Sequence, residues 1–115
     1  MNYVFNIESG LFTSGELDHE IAKKYRYYRD VLHADVHIIT EQGDLQNVIQ
    51  LALNNDLNTS GFMFVRVTGD KRSDSEVIAE YVDAIGLEPA NTIEIYDNNN
   101  AGWWIENGFN VIEAQ

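Results

Sequence analysis

The chain has no cysteine, only seven lysines and arginines against nineteen aspartates and glutamates, and no run of eighteen apolar residues. Without cysteine there are no disulfides, thiolate nucleophiles, iron–sulfur clusters or cysteine-based zinc sites. The formal charge of −12 repels phosphate backbones, and the seven cations fall at 23–29 and 66–72 without forming the continuous basic stripe that nucleic-acid binding needs. No Walker loop, Gly-x-Ser-x-Gly elbow or His-x-x-x-His pair is present. Met1-Asn2-Tyr3-Val4 has neither the basic nor the apolar region of a signal peptide. The expectation is a soluble, cytoplasmic protein that touches neither membrane nor nucleic acid.

What is present describes an architecture. At 115 residues and 44% hydrophobic content, the chain can bury one core, so residues 1–115 read as a single domain. Residues 3–7 alternate at strand spacing and are followed by the loop signals Ser9-Gly10 and Thr13-Ser14-Gly15. Ser14 then stands where a helix cap belongs, with Glu16, Asp18 and Glu20 early and Lys23, Lys24, Arg26 and Arg29 late, as the helix dipole favours. Leu17, Ile21, Tyr25, Tyr28 and Leu32 give that helix an apolar face, which makes its tyrosines core residues and its cations a solvated face.

Residues 36–40 form a β-branched strand, and Leu45, Val48, Ile49, Ala52 and Leu53 recur at helical spacing. Residues 62–67 are the most apolar strand, expected at the centre of the sheet. Ser73-Asp74-Ser75-Glu76 fits a capping box ahead of Val77, Ile78, Tyr81, Val82 and Ile85, with Gly86 as the stop. A strand at 92–96, a polar turn at 97–100, a short helix at 101–107 and a last strand at 110–113 complete the series. Alternation of this kind predicts an α/β sandwich with a central mixed or parallel sheet of about five strands and three to four helices.

The segment from Ile93 to Ile112, which contains Asp97-Asn98-Asn99-Asn100-Ala101-Gly102-Trp103-Trp104-Ile105-Glu106-Asn107-Gly108-Phe109, resembles the closing unit of the GNAT superfamily of acyl-CoA-dependent N-acetyltransferases. Asn98-x-x-Ala101, the aromatic pair Trp103-Trp104 and Gly108-Phe109 carry the resemblance, which extends over roughly the last 55 residues. It implies a GNAT-like fold and acetyl-CoA as cofactor, with Arg72, Ser73, Ser75 and Asn98 as cofactor-binding residues. Where the family places glycines against the pyrophosphate, this chain has Ser75 and Val77, flanked by Asp74 and Glu76. Trp104 stands where the family often has a tyrosine acid, and residues 62–67 hold no carboxylate to serve as base.

His33 and His37, with Asp35 between them, are a candidate acid/base pair or simply a polar strand edge. The serines sit in turns and caps, where local hydrogen bonding accounts for them. Residues 88–115 contain acidic side chains but no lysine or arginine. A small acidic chain without catalytic signatures resembles in style the inhibitor proteins of bacteriophages. The sequence therefore favours a non-catalytic domain that binds a basic-surfaced protein, with no catalytic residue, no metal and no cofactor. Trp103, Trp104, Glu106 and Glu113 are the candidate interface residues, because tryptophan is enriched at binding hot spots. The alternative is an N-acetyltransferase or a degenerate relative of one.

Overall fold

The computed structural model describes residues 1–40, 45–58, 62–65 and 73–112, with backbone alone at 45, 48, 62–65 and 74. The first strand, β1 (Asn2–Asn6), sends Tyr3 and Phe5 to one face and Val4 to the other. A wide π-type turn (Ile7–Leu11) follows, and the Asn6 side chain opens it by accepting a hydrogen bond from the Ser9 amide at 3.1 Å. Gly10 lies so close to the next layer of backbone that a Cβ there would overlap the Tyr96 carbonyl oxygen. Only glycine permits that approach.

The chain then forms an unexpected hairpin, β2 (Phe12–Thr13) against β3 (Glu16–Leu17). Its two-residue loop, Ser14-Gly15, has positive φ at both positions, 52° and 81°. That is the backbone twist a tight hairpin needs, and Gly15 supplies it without strain. Ser14 is thus a turn residue, and the cap of α1 (His19–Arg26) is Asp18, whose carboxylate accepts from the Glu20 and Ile21 amides at 3.1 Å each.

Ile21, Ala22 and Tyr25 bury the inner face of α1. The helix then widens into a π-type turn (Tyr27–Val31), with the Leu32 amide bonded to the Tyr27 carbonyl at 3.0 Å. The wider turn breaks the α period, so Leu32 is exposed rather than part of the apolar face that its spacing predicts. Arg26 reaches across to the end of the next helix, donating to the Asn55 carbonyl at 2.9 Å. A cation there satisfies carbonyls that have no partner within their own helix.

β4 (Asp35–Thr40), α2 (Leu45–Asn54), β5 (Phe62–Val65), α3 (Asp74–Ile85), β6 (Thr92–Tyr96) and α4 (Ala101–Glu106) complete the order. Among the described residues the main sheet has four strands, all parallel, in the order β5-β4-β1-β6. The most apolar strand, β5, is therefore at the edge of the described sheet, and β1 and β4 hold its centre. The reason lies in the crossover after β5, which carries the chain past β4 and β1 to add β6 on the far side. The last expected strand reduces to a single parallel bridge from Ile95 to Val111, with the Ile95 amide bonded to Asn110 and the Ile112 amide to Ile95. The described sheet thus has four strands rather than five.

A parallel sheet covered on both sides needs apolar residues on both faces of its strands. Tyr3, Phe5, Val36 and Ile38 pack with Ile21 and Tyr25 of α1 and Ala52 of α2; Phe5 stacks on Tyr96 at 4.5 Å. Val4, Ile39 and Ile95 pack on the other face with Ile78 and Tyr81 of α3 and Trp104 of α4. Ser73 caps α3 by accepting from the Glu76 amide at 3.3 Å, and Gly86, with φ of 78°, ends it. The result is a three-layer α/β/α arrangement with a radius of gyration of 13.2 Å. Among the described residues no helix is long and apolar enough to cross a membrane.

His37 lies inside this second layer, buried, with Nε2 3.0 Å from Asn2 Oδ1 and its ring edge-on to Tyr81. Burial pushes its pKa below the usual 6.5, and the Asp35 charge opposes that only in part. In the window below 6.5 the unfolded chain takes up a proton that the folded chain refuses, so stability falls as pH falls. The slope has a ceiling of about 1.4 kcal/mol per pH unit for one proton. Urea unfolding of the parent and of His37→Asn between pH 7.5 and 5 should show a shallower decline in the variant over that window.

Candidate functional site

In a parallel pair, residues that end neighbouring strands in register must lie side by side. Phe5 is paired with Tyr96, so the next residues, Asn6 and Asp97, meet at the carboxyl edge of the sheet. Asp97 has no exposed surface. A carboxylate so placed is tolerable only if donors replace its lost water. The donors are Asn6 Nδ2 at 3.0 Å and Ser9 Oγ at 3.2 Å to Oδ1, then Asn100 Nδ2 at 2.8 Å and Trp104 Nε1 at 3.0 Å to Oδ2. The Asn100 amide adds a fifth bond at 3.3 Å to Oδ1.

The same cluster shapes the loop. The Asn98 amide bonds to the Ser9 carbonyl at 2.9 Å, and the Asn99 amide to Ser9 Oγ at 3.2 Å. The turn after β1 and the turn after β6 are thereby fastened together. One turn later the indole of Trp104 is held by its N–H and wholly buried. Adjacent residues on a helix project about 100° apart. With Trp104 fixed inward, Trp103 is turned toward the surface and remains only half-buried.

Trp103 meets Trp104 edge-on at 5.2 Å and lies nearly parallel to Phe109, 24° apart at 6.4 Å. Together with Val82, Asp83, Leu87, Glu88 and Pro89 it lines a groove of about 360 Å³ between α3 and the segment from α4 to Phe109. Asp83 and Glu88 are exposed on its rim. The groove has an aromatic wall, an apolar bed and two carboxylates. All seven lysines and arginines precede residue 73, so the chain supplies no cation from there onward.

Of the expected interface residues, Trp103 lines this groove, while Trp104 has no exposed surface, packs in the core and donates its indole N–H to Asp97. Glu106 is exposed on α4, outside the groove lining. Glu113 and Arg72 lie outside the described residues. Ser73 is engaged as the α3 cap, Ser75 is exposed two residues on, and Asn98 is half-buried in the loop after β6. Glu76 is exposed in the first turn of α3. Its charge opposes a pyrophosphate there. His33 is exposed, with φ of 52°, while His37 is buried, so the two do not form one site.

Among the described residues no three His, Cys, Asp or Glu side chains converge as metal ligands. The residues that organise the site, Asn6, Ser9 and Asp97, were read in the sequence only as strand, loop and turn. The available signal was two strands of an alternating β-α chain ending in Asn and Asp. Removing the central carboxylate strands several buried donors at once, each costing about 1–3 kcal/mol. Asp97→Ala should therefore destabilise the fold by roughly 3 kcal/mol or more in urea unfolding, and shift tryptophan emission to the red as Trp104 loses its anchor.

No family model, no curated protein and no solved structure matches this chain.

Proposed function

We propose that this chain is an acidic protein-binding domain that docks a lysine- and arginine-rich segment of another protein in the α3–α4 groove beside Trp103. The observation that carries this reading is the groove itself, a half-buried tryptophan rimmed by Asp83 and Glu88, built from a stretch of the chain, 73–115, that has no lysine or arginine. A cationic head held over an indole face gains about 0.5–2 kcal/mol, depending on how dry the contact is. The aliphatic stem of the same side chain covers apolar surface such as Val82, Leu87 and Pro89. Both gains require the cation and its stem together, which selects lysine and arginine over smaller cations.

The field of the whole domain adds to this at longer range. With a formal charge of −12 it draws a basic partner inward and speeds encounter, an effect that salt suppresses. The groove then sets where the partner stops. Catalysis plays no part in this function.

An eight-residue peptide of alternating Arg and Ala, titrated while tryptophan emission is followed, tests it. Trp103→Ala should weaken binding at least tenfold with the fold intact by circular dichroism. Asp83→Lys should weaken it more than Glu16→Lys, which changes net charge equally on the hairpin. Equal loss from the two charge reversals, with no loss from Trp103→Ala, would reduce the effect to net charge and overturn the assignment of the groove.

A further inference from the structure

Three large apolar side chains stand exposed within six positions at the end of the first long helix: Tyr27 at 49%, Val31 at 61% and Leu32 at 49%. A single exposed apolar residue is ordinary, whereas a cluster marks a contact surface. Its local cause is the π-type turn (Tyr27–Val31). Ile21, Ala22 and Tyr25 bury the inner face of α1, but none of the five residues of the turn is buried.

The same face carries a place for such a side chain. Glu20, Lys23, Lys24 and Tyr27 are all exposed and stand at i, i+3, i+4 and i+7, the four-cornered set that receives a knob from a facing helix. They border a shallow concavity together with Tyr28. Lysines line such a hole with their aliphatic stems and keep their heads in water. Val31 is the knob, one turn beyond Tyr27. A knob and a hole a fixed distance apart on one face are self-complementary under a two-fold axis. The rotation that seats Val31 of one copy between residues 23 and 24 of the other seats the second Val31 equivalently, and it brings the two Tyr27 rings together at the axis.

We infer that the chain pairs with a second copy of itself through the outer face of α1 and its π-type turn, the two helices antiparallel, with Val31 of each copy seated among Glu20, Lys23, Lys24 and Tyr27 of the other. Charge agrees with this pairing. Residues 20–31 hold Lys23, Lys24, Arg26 and Arg29 against Glu20 and Asp30, so two domains of charge −12 repel less across this face than across the acidic α3–α4 side. The antiparallel arrangement sets the exposed Lys23 of each copy against the exposed Asp30 of the other, whereas a parallel one would set Lys23 against Lys23. About three helical turns offer less area than the roughly 1,200–2,000 Å² of a stable interface, so the dimer is weak and forms as concentration rises. It uses no residue of the Trp103 groove, which lies on the other side of the sheet.

Sedimentation equilibrium of the full chain over a wide range of concentration tests the inference, and monomer should pass to dimer. Raising the ionic strength from about 0.01 to about 0.15 M shortens the Debye length from about 30 to about 8 Å, which should tighten the dimer by screening the repulsion between the two domains. Val31→Lys, at an exposed position, should leave circular dichroism unchanged and weaken association at least tenfold. Lys23→Asp and Asp30→Lys should each weaken it, and the two substitutions in one chain should restore it, because the exchanged charges again meet across the axis. The chain has no cysteine of its own, so oxidised glutathione should link Tyr27→Cys into a covalent dimer and leave Glu16→Cys, on the hairpin, monomeric. A monomer at every concentration would overturn the inference. So would association indifferent to Val31→Lys, a double charge exchange no better than the single ones, or association abolished by Trp103→Ala, which would place the contact in the groove.

Discussion

A carboxylate without exposed surface is among the most demanding groups a small domain can contain, because its charge has lost water on every side. Here Asp97 is compensated by one backbone amide and by side chains from Asn6, Ser9, Asn100 and Trp104. The turn after β1 and the first turn of α4 are drawn to one point. Because Trp104 is fixed inward, Trp103 is turned outward, so the groove on the α3–α4 side is an indirect product of a hydrogen-bond cluster at the sheet edge. Gly10 belongs to the same arrangement, since the close approach of its turn to Tyr96 lets Ser9 reach Asp97 and the loop beyond it.

The two faces of the sheet carry different kinds of surface. On the side of α1 and α2 the protein holds lysines and arginines, and one of them, Arg26, is engaged with the carbonyl end of α2. Among the described residues, α3, α4 and the loops beside them carry acidic charges and no lysine or arginine, and they surround an aromatic groove. This division follows directly from the linear sequence, because consecutive helices of the chain cover first one face and then the other. A segment that is acidic along the chain thereby becomes an acidic surface in space.

Much of the fold was legible in the sequence because its elements satisfy local rules. Ser73 caps α3, Gly86 ends it in a left-handed conformation, and the β-branched run at 36–40 is a strand. The hairpin was missed because Thr13-Ser14-Gly15 reads equally as a helix cap or a tight turn, and only the positive φ at both Ser14 and Gly15 separates them. Leu32 was misplaced by one π-type turn, which no apolar periodicity reports. Strand order was illegible for a deeper reason: apolar content shows that a strand is buried, but which neighbours bury it depends on crossovers. The candidate site was half legible. Trp103 could be singled out by residue type, whereas Asp97 has meaning only once β6 is known to lie beside β1.

That adjacency also governs how the molecule is assembled. β1 is synthesised well before β6, yet Asn6 must meet Asp97, separated from it by 91 positions. Pairing β1 with β4 closes a much shorter loop, so the left half of the sheet can form early, with one edge of its central strand exposed. Contacts of such long sequence separation slow folding, because the loop must close before its contacts stabilise anything. Until β6 arrives, that edge is open to strands of other chains. The insertion that completes the sheet is thus the same event that removes its most adhesive surface, and a chain interrupted before β6 would be left with an uncovered edge rather than a smaller version of the same protein.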